Sequence, residues 1–240
     1  MGIKVAKFGG SSLADAEQFR KVRAIIRADH ERRYIVPSAP GKRYPDDHKI
    51  TDLLYQCYNH VQHKLPFGEI FALISARYLE IIKELELPLD LNPILEQIKN
   101  EIAGGASAEF TASRGEYLNG ILLAEYLGFD FVDPTTLIFF NHQGQFNAEK
   151  TQATISKNLN QHVQAVIPGF YGSTPDGKVR TFSRGGSDIT GAIIARGVKA
   201  DLYENWTDVS GFLMADPRVV KNPKPIKQIT YRELRELAYM

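Results

Sequence analysis

Along residues 3–8 apolar positions alternate with the basic Lys4 and Lys7; the run meets Gly9-Gly10-Ser11-Ser12, after which Phe19, Val22, Ile25 and Ile26 recur at helical spacing. A period of two, then glycine, then a period near 3.6 predicts a strand, a tight turn and a helix. Tyr34, Ile35 and Val36 predict a second strand, followed by a polar loop over residues 38–49 that holds Pro40-Gly41 and Pro45. From residue 50 to about 127 the pattern is helical, interrupted at Pro66, Pro88 and Gly104-Gly105. Residues 129–132 and 137–140 predict short apolar strands, 148–159 a helix and 163–168 a buried strand. Residues 171–182 predict a hairpin turning at Pro175-Asp176-Gly177. Ser183-Arg184-Gly185-Gly186-Ser187-Asp188 then opens a helix on which Ile189, Ala192 and Ile193 share a face, and residues 201–206 form the next strand. Strands and helices in this order predict an α/β fold, a three-layer α/β/α sandwich with a mainly parallel sheet.

The last segment carries a capping box, Thr230-x-x-Glu233, and the start of an apolar stripe at Leu234, Leu237 and Ala238. The stripe stops at Met240 without a glycine cap, so the fold is expected to continue past this residue, with the chain a partial unit. Composition narrows the function classes. Twenty-nine basic residues against 28 acidic ones leave a net charge of +1, which gives no global field for nucleic acid or an anionic membrane. No run approaches the roughly 18 apolar residues of a membrane span, and the first ten residues lack the apolar core of a signal peptide. Cys57 is the single cysteine and has no internal disulfide partner, which fits a reducing, cytoplasmic setting. The six histidines form no H-E-x-x-H, and no metal site built by the protein is expected.

Two glycine turns, Lys7-Phe8-Gly9-Gly10-Ser11 and Arg184-Gly185-Gly186-Ser187-Asp188, each lie between a predicted strand and a predicted helix, and each carries an adjacent cation. Glycine lets backbone N–H groups approach a phosphate, and a helix N-terminus adds partial positive charge. Either turn alone is weak, but the two together read as an anion cradle. Neither G-x-x-x-x-G-K-[ST] nor G-x-G-x-x-G occurs, which removes the Walker and Rossmann readings.

Six blocks in order, Lys7-Phe8-Gly9-Gly10-Ser11-Ser12, Ser38-Ala39-Pro40-Gly41, Ile50-Thr51-Asp52-Leu53-Leu54, Ser113-Arg114-Gly115-Glu116, Ser183 through Asp188, and Thr207-Asp208-Val209-Ser210-Gly211 running to Ala215-Asp216-Pro217-Arg218, resemble the successive signatures of aspartate kinases. The resemblance covers nearly the whole chain. It implies the amino-acid-kinase fold, with an acceptor lobe over about residues 1–165, a nucleotide lobe over about 166–240, and regulatory domains absent. It also implies ATP with Mg²⁺ held mainly by the nucleotide phosphates, aspartate as acceptor, a place at the start of lysine, threonine and methionine biosynthesis, and a homo-oligomeric parent. Residue by residue, it makes Lys7 the contact to the transferring phosphate and Asp188 the group that orients it. Glu116 would receive the acceptor's ammonium and Arg184 its carboxylate, with Ser38, Thr51, Gly186 and Ser187 lining the acceptor pocket. Gly9, Gly10, Ser11, Thr207, Asp208, Leu213 and Arg218 fall at nucleotide positions. Leu213 departs from a family tyrosine beside adenine, and Lys42 and Arg43 make the loop over residues 38–49 more basic than the family's, as extra phosphate contacts. That loop is expected to order over the site when substrates bind.

Singly these residues have plainer readings. Glu116 would be a solvated helix glutamate, Arg218 a surface arginine, Thr51 a helix cap and Thr207-Asp208 a turn. The ordered set overrides them. An aspartate carboxylate, with a pKa of about 3.9, is already ionised near neutral pH and needs no general base, so charge repulsion is the barrier and cations are the remedy. Alternatives are a non-catalytic aspartate- or nucleotide-binding fragment and another kinase of the same fold, such as one acting on acetylglutamate.

Overall fold

The alternating run at the start becomes strand β1 (Lys4–Phe8), and β2 (Arg32–Pro37) pairs with it in parallel after helix α1 (Ala16–Arg27). The structure is a computed structural model and describes residues 2–183, 185–207, 211, 213–216 and 219–230. Four helices follow, as the breaker positions predict: α2 (Ile50–Gln62), α3 (Gly68–Glu84), α4 (Asn92–Ala103) and α5 (Ala108–Leu127). Strand β3 (Asp130–Phe131), helix α6 (Ala148–Asn158) and strand β4 (Ala165–Val166) come next, then a hairpin of β5 (Tyr171–Ser173) and β6 (Val179–Thr181), helix α7 (Gly186–Gly197) and strand β7 (Leu202–Trp206). The main sheet runs β3-β4-β2-β1-β7, with every pairing parallel. Met1–Trp206 and Thr207–Met240 are separate compact units, and all these elements belong to the first.

Strand alternation sorts successive residues into different cores. Ala6, Phe8, Ile35 and Val166 face a core shared with the helices from α1 to α5. Val5, Tyr34, Val36, Ala165 and Ile167 face the second core, with Ile155 of α6 and Ile193 and Ile194 of α7. Those two cores make the three-layer α/β/α sandwich. The same alternation puts Lys7 on the α7 side of β1.

Helix ends are set by local chemistry. The Asp15 carboxylate accepts from Gln18 N at 2.9 Å at the start of α1, and the Ser107 hydroxyl from Phe110 N at 3.1 Å at the start of α5. Helix α5 is covered nearly all round, burying Ser113, Arg114, Glu116 and Asn119 as well as Leu118, Leu122 and Leu123.

Three local expectations are corrected. Leu137, Ile138 and Phe140 are buried and Phe139 is half-buried, but the segment forms only isolated bridges, Phe139 to Ser173 and Phe140 to Phe146, because Asp133 and Pro134 start a 3-10 turn (Pro134–Thr136) just before it. The strand expected over 163–168 shrinks to β4, and Val163 is 76 % exposed with its carbonyl taken by Arg33 Nε at 2.8 Å. On α7 it is Thr190, Gly191, Ile193, Ile194 and Gly197 that are buried, whereas Ile189 and Ala192 are exposed. Small and hydroxyl residues carry that stripe, so counting large apolar side chains picks the neighbouring face. The capping box at the end of the chain extends into residues 231–240, outside the described residues.

Leu122→Ala and Val163→Ala separate the two environments. The first should cost about 2–5 kcal/mol in urea unfolding, because it opens a cavity beside α5, and the second less than about 0.5 kcal/mol. Equal losses would contradict the exposure of Val163.

Candidate functional site

Phe8 ends β1, and the chain turns at once through Gly9 into a 3-10 helix, Gly10–Leu13. The Gly9 N–H donates to Trp206 O at 3.0 Å, which closes the turn against the end of the edge strand β7. Beside it runs the start of the loop after β2, where Ser38 N donates to Phe8 O at 3.0 Å and Gly41 N to Gly10 O at 2.8 Å. The two turns touch backbone to backbone. A Cβ on Gly41 would stand 2.7 Å from Gly10 C, and one on Gly10 2.8 Å from Ala39 O, so neither position has room for a side chain.

The second glycine turn approaches from the other layer. Gly185 has φ +55°, the left-handed conformation that glycine adopts without strain, and launches α7. The first turn of α7 has no side-chain cap, and its Gly186, Ser187 and Asp188 line the cleft. Asp188 Oδ1 accepts from Lys7 Nζ at 2.8 Å and from Asn205 Nδ2 at 3.0 Å, and the Asp188 carbonyl accepts from the Tyr203 hydroxyl at 3.1 Å. The Lys7 ammonium, only 7 % exposed as a residue, is thus fixed between strand and helix.

Lys7, Ser38, Thr51, Glu116, Gly186, Ser187 and Asp188, predicted from widely separated positions, line one cleft of ≈ 330 Å³. Gly9 stands next to it, since a Cβ there would lie 3.7 Å from Lys7 Nζ. Gly10 and Ser11 continue that turn. Thr51 lies in the first turn of α2, but Lys49 is the capping position and no side chain caps the helix, so Thr51 is not the cap its sequence position suggests. Arg184, Asp208 and Arg218 lie outside the described residues. Thr207 and Leu213 belong to the second unit, where Leu213 bridges Pro225 and Met214 N donates to Lys224 O at 2.9 Å.

Glu116 differs most from its plain reading. It is 6 % exposed, and its Oε2 is buried without a hydrogen-bond partner among the described residues. Burial pushes its carboxyl up to about 7 from an ordinary 4.5, and the Ala39 N–H only partly offsets this. An unpaired buried carboxylate in a cleft is a receptor for a cation. Among the described residues no group of three or more His, Cys, Asp or Glu side chains is placed to hold a metal ion.

Tyr55 and Phe170 also line the cleft and were missed in the sequence. Tyr55 follows Thr51 by four residues, one helical turn, and that spacing could have found it. Phe170 is there because its backbone sits at φ +83°, which no sequence pattern signals. Lys42 and Arg43 correct an expectation. The Arg43 guanidinium binds Asp47 (2.9 Å) and Glu80 of α3 (2.9 Å), and Lys42 Nζ donates to Pro45 O at 3.0 Å, so both basic side chains already have partners in the loop and on α3. Its Asp47 is buried against Arg77 at 2.6 Å, which ties the loop to α3.

The amino acid kinase family model matches residues 2–240. The chain is 38 % identical over 254 residues to aspartokinase 3 of Bacillus subtilis, covering 99 % of this chain and 55 % of that protein. It is 29 % identical to the lysine-sensitive aspartokinase 3 of Escherichia coli, over 98 % of this chain and 56 % of that one. Among solved structures, an aspartate kinase of Clostridium acetobutylicum is 58 % identical with a TM-score of 0.96, covering all of this chain and 55 % of its own. E. coli aspartokinase III in complex with aspartate and ADP has a TM-score of 0.84 at 27 % identity, covering 99 % of this chain and 56 % of that one. The chain spans about half the length of the curated relatives it matches.

Glu116 makes the apo protein's stability depend on pH. Its folded pKa, about 7, lies above the ordinary 4.5, so its contribution is fully present below pH 4.5 and is lost as pH rises through 7. The loss is on the order of 3 kcal/mol. Glu116→Gln should therefore be more stable than the parent in urea at pH 8 and about equal at pH 4.5. Parallel pH profiles for the two proteins would refute the buried, unpaired carboxylate.

Proposed function

The chain belongs to the amino acid kinase family, and from that premise we propose that it is the catalytic region of an aspartate kinase, moving the γ-phosphoryl group of ATP to the β-carboxylate of L-aspartate to give 4-phospho-L-aspartate. The observation that carries this is the Glu116 carboxylate, one oxygen of which is buried without a partner among the described residues, in the same cleft as the Lys7–Asp188 pair. The cleft offers both a receptor for an ammonium and a cation beside two glycine turns. An acidic amino acid against a nucleotide phosphate answers both.

In this reading Glu116 pairs with the acceptor's ammonium, and Arg184 takes the α-carboxylate bidentately. Ser38, Thr51, Gly186 and Ser187 line the acceptor pocket, and the acceptor's β-carboxylate then faces the nucleotide. That carboxylate is ionised without help, so Asp188 is not a base. It orients Lys7, whose ammonium offsets the charge that builds up as the phosphoryl group moves. Gly9, Gly10 and Ser11 cradle the phosphates through backbone N–H groups, and Thr207, Asp208, Leu213 and Arg218 are the nucleotide positions. Mg²⁺ would be carried mainly by the nucleotide phosphates and lower their charge. The division into an acceptor lobe near 1–165 and a nucleotide lobe near 166–240, a cytoplasmic location, a homo-oligomeric parent and a role in lysine, threonine and methionine biosynthesis belong to the same reading.

Aspartate-dependent ADP release from the full-length protein tests the assignment directly, and no release would favour a binding module. N-acetylaspartate, which lacks the ammonium, should be a poorer acceptor by about 10- to 100-fold in kcat/KM, because it strands Glu116. If it reacts as well as aspartate, the role given to Glu116 is wrong, and an acetylglutamate-type kinase becomes the better reading. Lys7→Ala should lower kcat by about 100-fold or more while leaving aspartate affinity within about threefold, since its charge matters most in the transition state. Near-normal turnover would remove Lys7 from the mechanism.

A further inference from the structure

Arg77, on α3, is not among the residues that line the substrate cleft, yet its buried guanidinium reaches both strand-to-loop turns from behind. Nη1 donates to Gly41 O at 3.0 Å and to Ala14 O at 3.3 Å, and Nη2 to Asp47 Oδ2 at 2.6 Å. Ala14 directly follows the Gly10–Leu13 helix, and Gly41 is the residue that crosses Gly10. Asp47 is held from its other side by Arg43, through its backbone N–H at 2.9 Å and its guanidinium at 2.9 Å and 3.2 Å. One planar fork therefore joins the end of the first glycine turn, the loop after β2 and the loop's buried anchor.

A buried ion pair adds little net stability over an apolar pair of the same shape, so charge alone does not account for an arginine here. What an apolar pair cannot reproduce is the set of donors aimed at two backbone carbonyls in fixed directions. Those carbonyls flank the place where the two turns have no slack, because a Cβ on either Gly10 or Gly41 would clash with the opposite backbone. A shift of Gly41 is passed to Gly10, and from there to the turn beside Lys7.

We infer that Arg77 is a positioning residue for phosphoryl transfer: it fixes, through the Gly41 and Ala14 carbonyls, the crossing of the two turns that face the nucleotide phosphates. The inference rests on the kinase reading above and deepens it.

The test uses the full-length protein with Arg77→Met, Arg77→Lys, Asp47→Asn and the double variant R77M/D47N. Each is read by thermal unfolding, by kcat and KM for both substrates, and by ADP affinity from calorimetry. Arg77→Met should lose about 10- to 100-fold in kcat, the scale expected of a displacement near 1 Å, with the aspartate KM within about threefold. In the double variant the buried charge is again balanced, and Arg43 retains Glu80. Its melting temperature should return toward that of the parent, but kcat should stay low and ADP affinity should remain about tenfold weaker. Arg77→Lys, which keeps the charge and reaches fewer acceptors, should fall between. If turnover and ADP affinity recover together with stability in the double variant, or if Arg77→Lys behaves as the parent, the residue is merely structural and the inference is overturned. If the parent itself binds ADP but shows no aspartate-dependent turnover, the kinase reading fails, and the positioning role stands or falls on ADP affinity alone.

Discussion

A cation inside a parallel sheet needs an anion that arrives from a different layer, and the geometry of the cleft follows from how this chain supplies one. Lys7 lies on β1, flanked by β2 and β7, and is nearly shielded from water. Strand alternation turns it toward α7, and Asp188 in the first turn of that helix meets it at 2.8 Å. Because Asp188 must sit there, α7 has to begin at the C-terminal end of β1, which brings the uncapped N–H groups of its first turn to the same spot. Asn205 on β7 also donates to Asp188, so edge strand, central strand and helix share one carboxylate. This part of the site is therefore assembled by two strands of the sheet and the helix packed on them.

The helix that carries Glu116 obeys a different rule. Helix α5 is buried on almost every side and still carries Arg114, Glu116 and Asn119. Arg114 is enclosed by the rings of Phe110, Tyr117 and Tyr171, at 4.4, 4.5 and 5.3 Å from their centroids, and Asn119 donates to Ser38 O at 2.6 Å. Arg114 finds compensation within the fold, whereas one oxygen of Glu116, like the Oδ1 of Asn119, has no hydrogen-bond partner among the described residues. A helix that tolerates a buried carboxylate with one uncompensated oxygen gives up stability, as functional sites commonly do.

Large parts of this were legible in the chain. Pro66, Pro88 and Gly104-Gly105 separate the helices from α2 to α5 as their breaking chemistry requires, and the period-two run at residues 3–8 gives both β1 and the facing of Lys7. Residues up to 181 positions apart, Lys7 and Asp188 among them, meet because ordered signatures report long-range geometry that periodicity cannot. What was not legible depends on tertiary surroundings. The burial of Glu116 arises from helices packed on every side of α5, which its own window does not encode. The buried face of α7 is made of small residues, so the apolar pattern pointed to Ile189 instead. The charges of Lys42 and Arg43 looked available until Pro45, Asp47 and Glu80 were placed beside them.

Trp206, the single tryptophan, stacks on Phe8 with ring centroids 6.0 Å apart, lies under the Arg32 guanidinium, and donates from its indole to Glu204 at 2.8 Å. Its carbonyl closes the Gly9 turn, and the residue is the last of the first compact unit. The molecule thus carries an optical probe against its first glycine turn. Indole emission is sensitive to neighbouring charge and to solvent, so its intensity and wavelength can follow that turn in real time, with no label attached and no second chromophore of the same kind to confuse the signal.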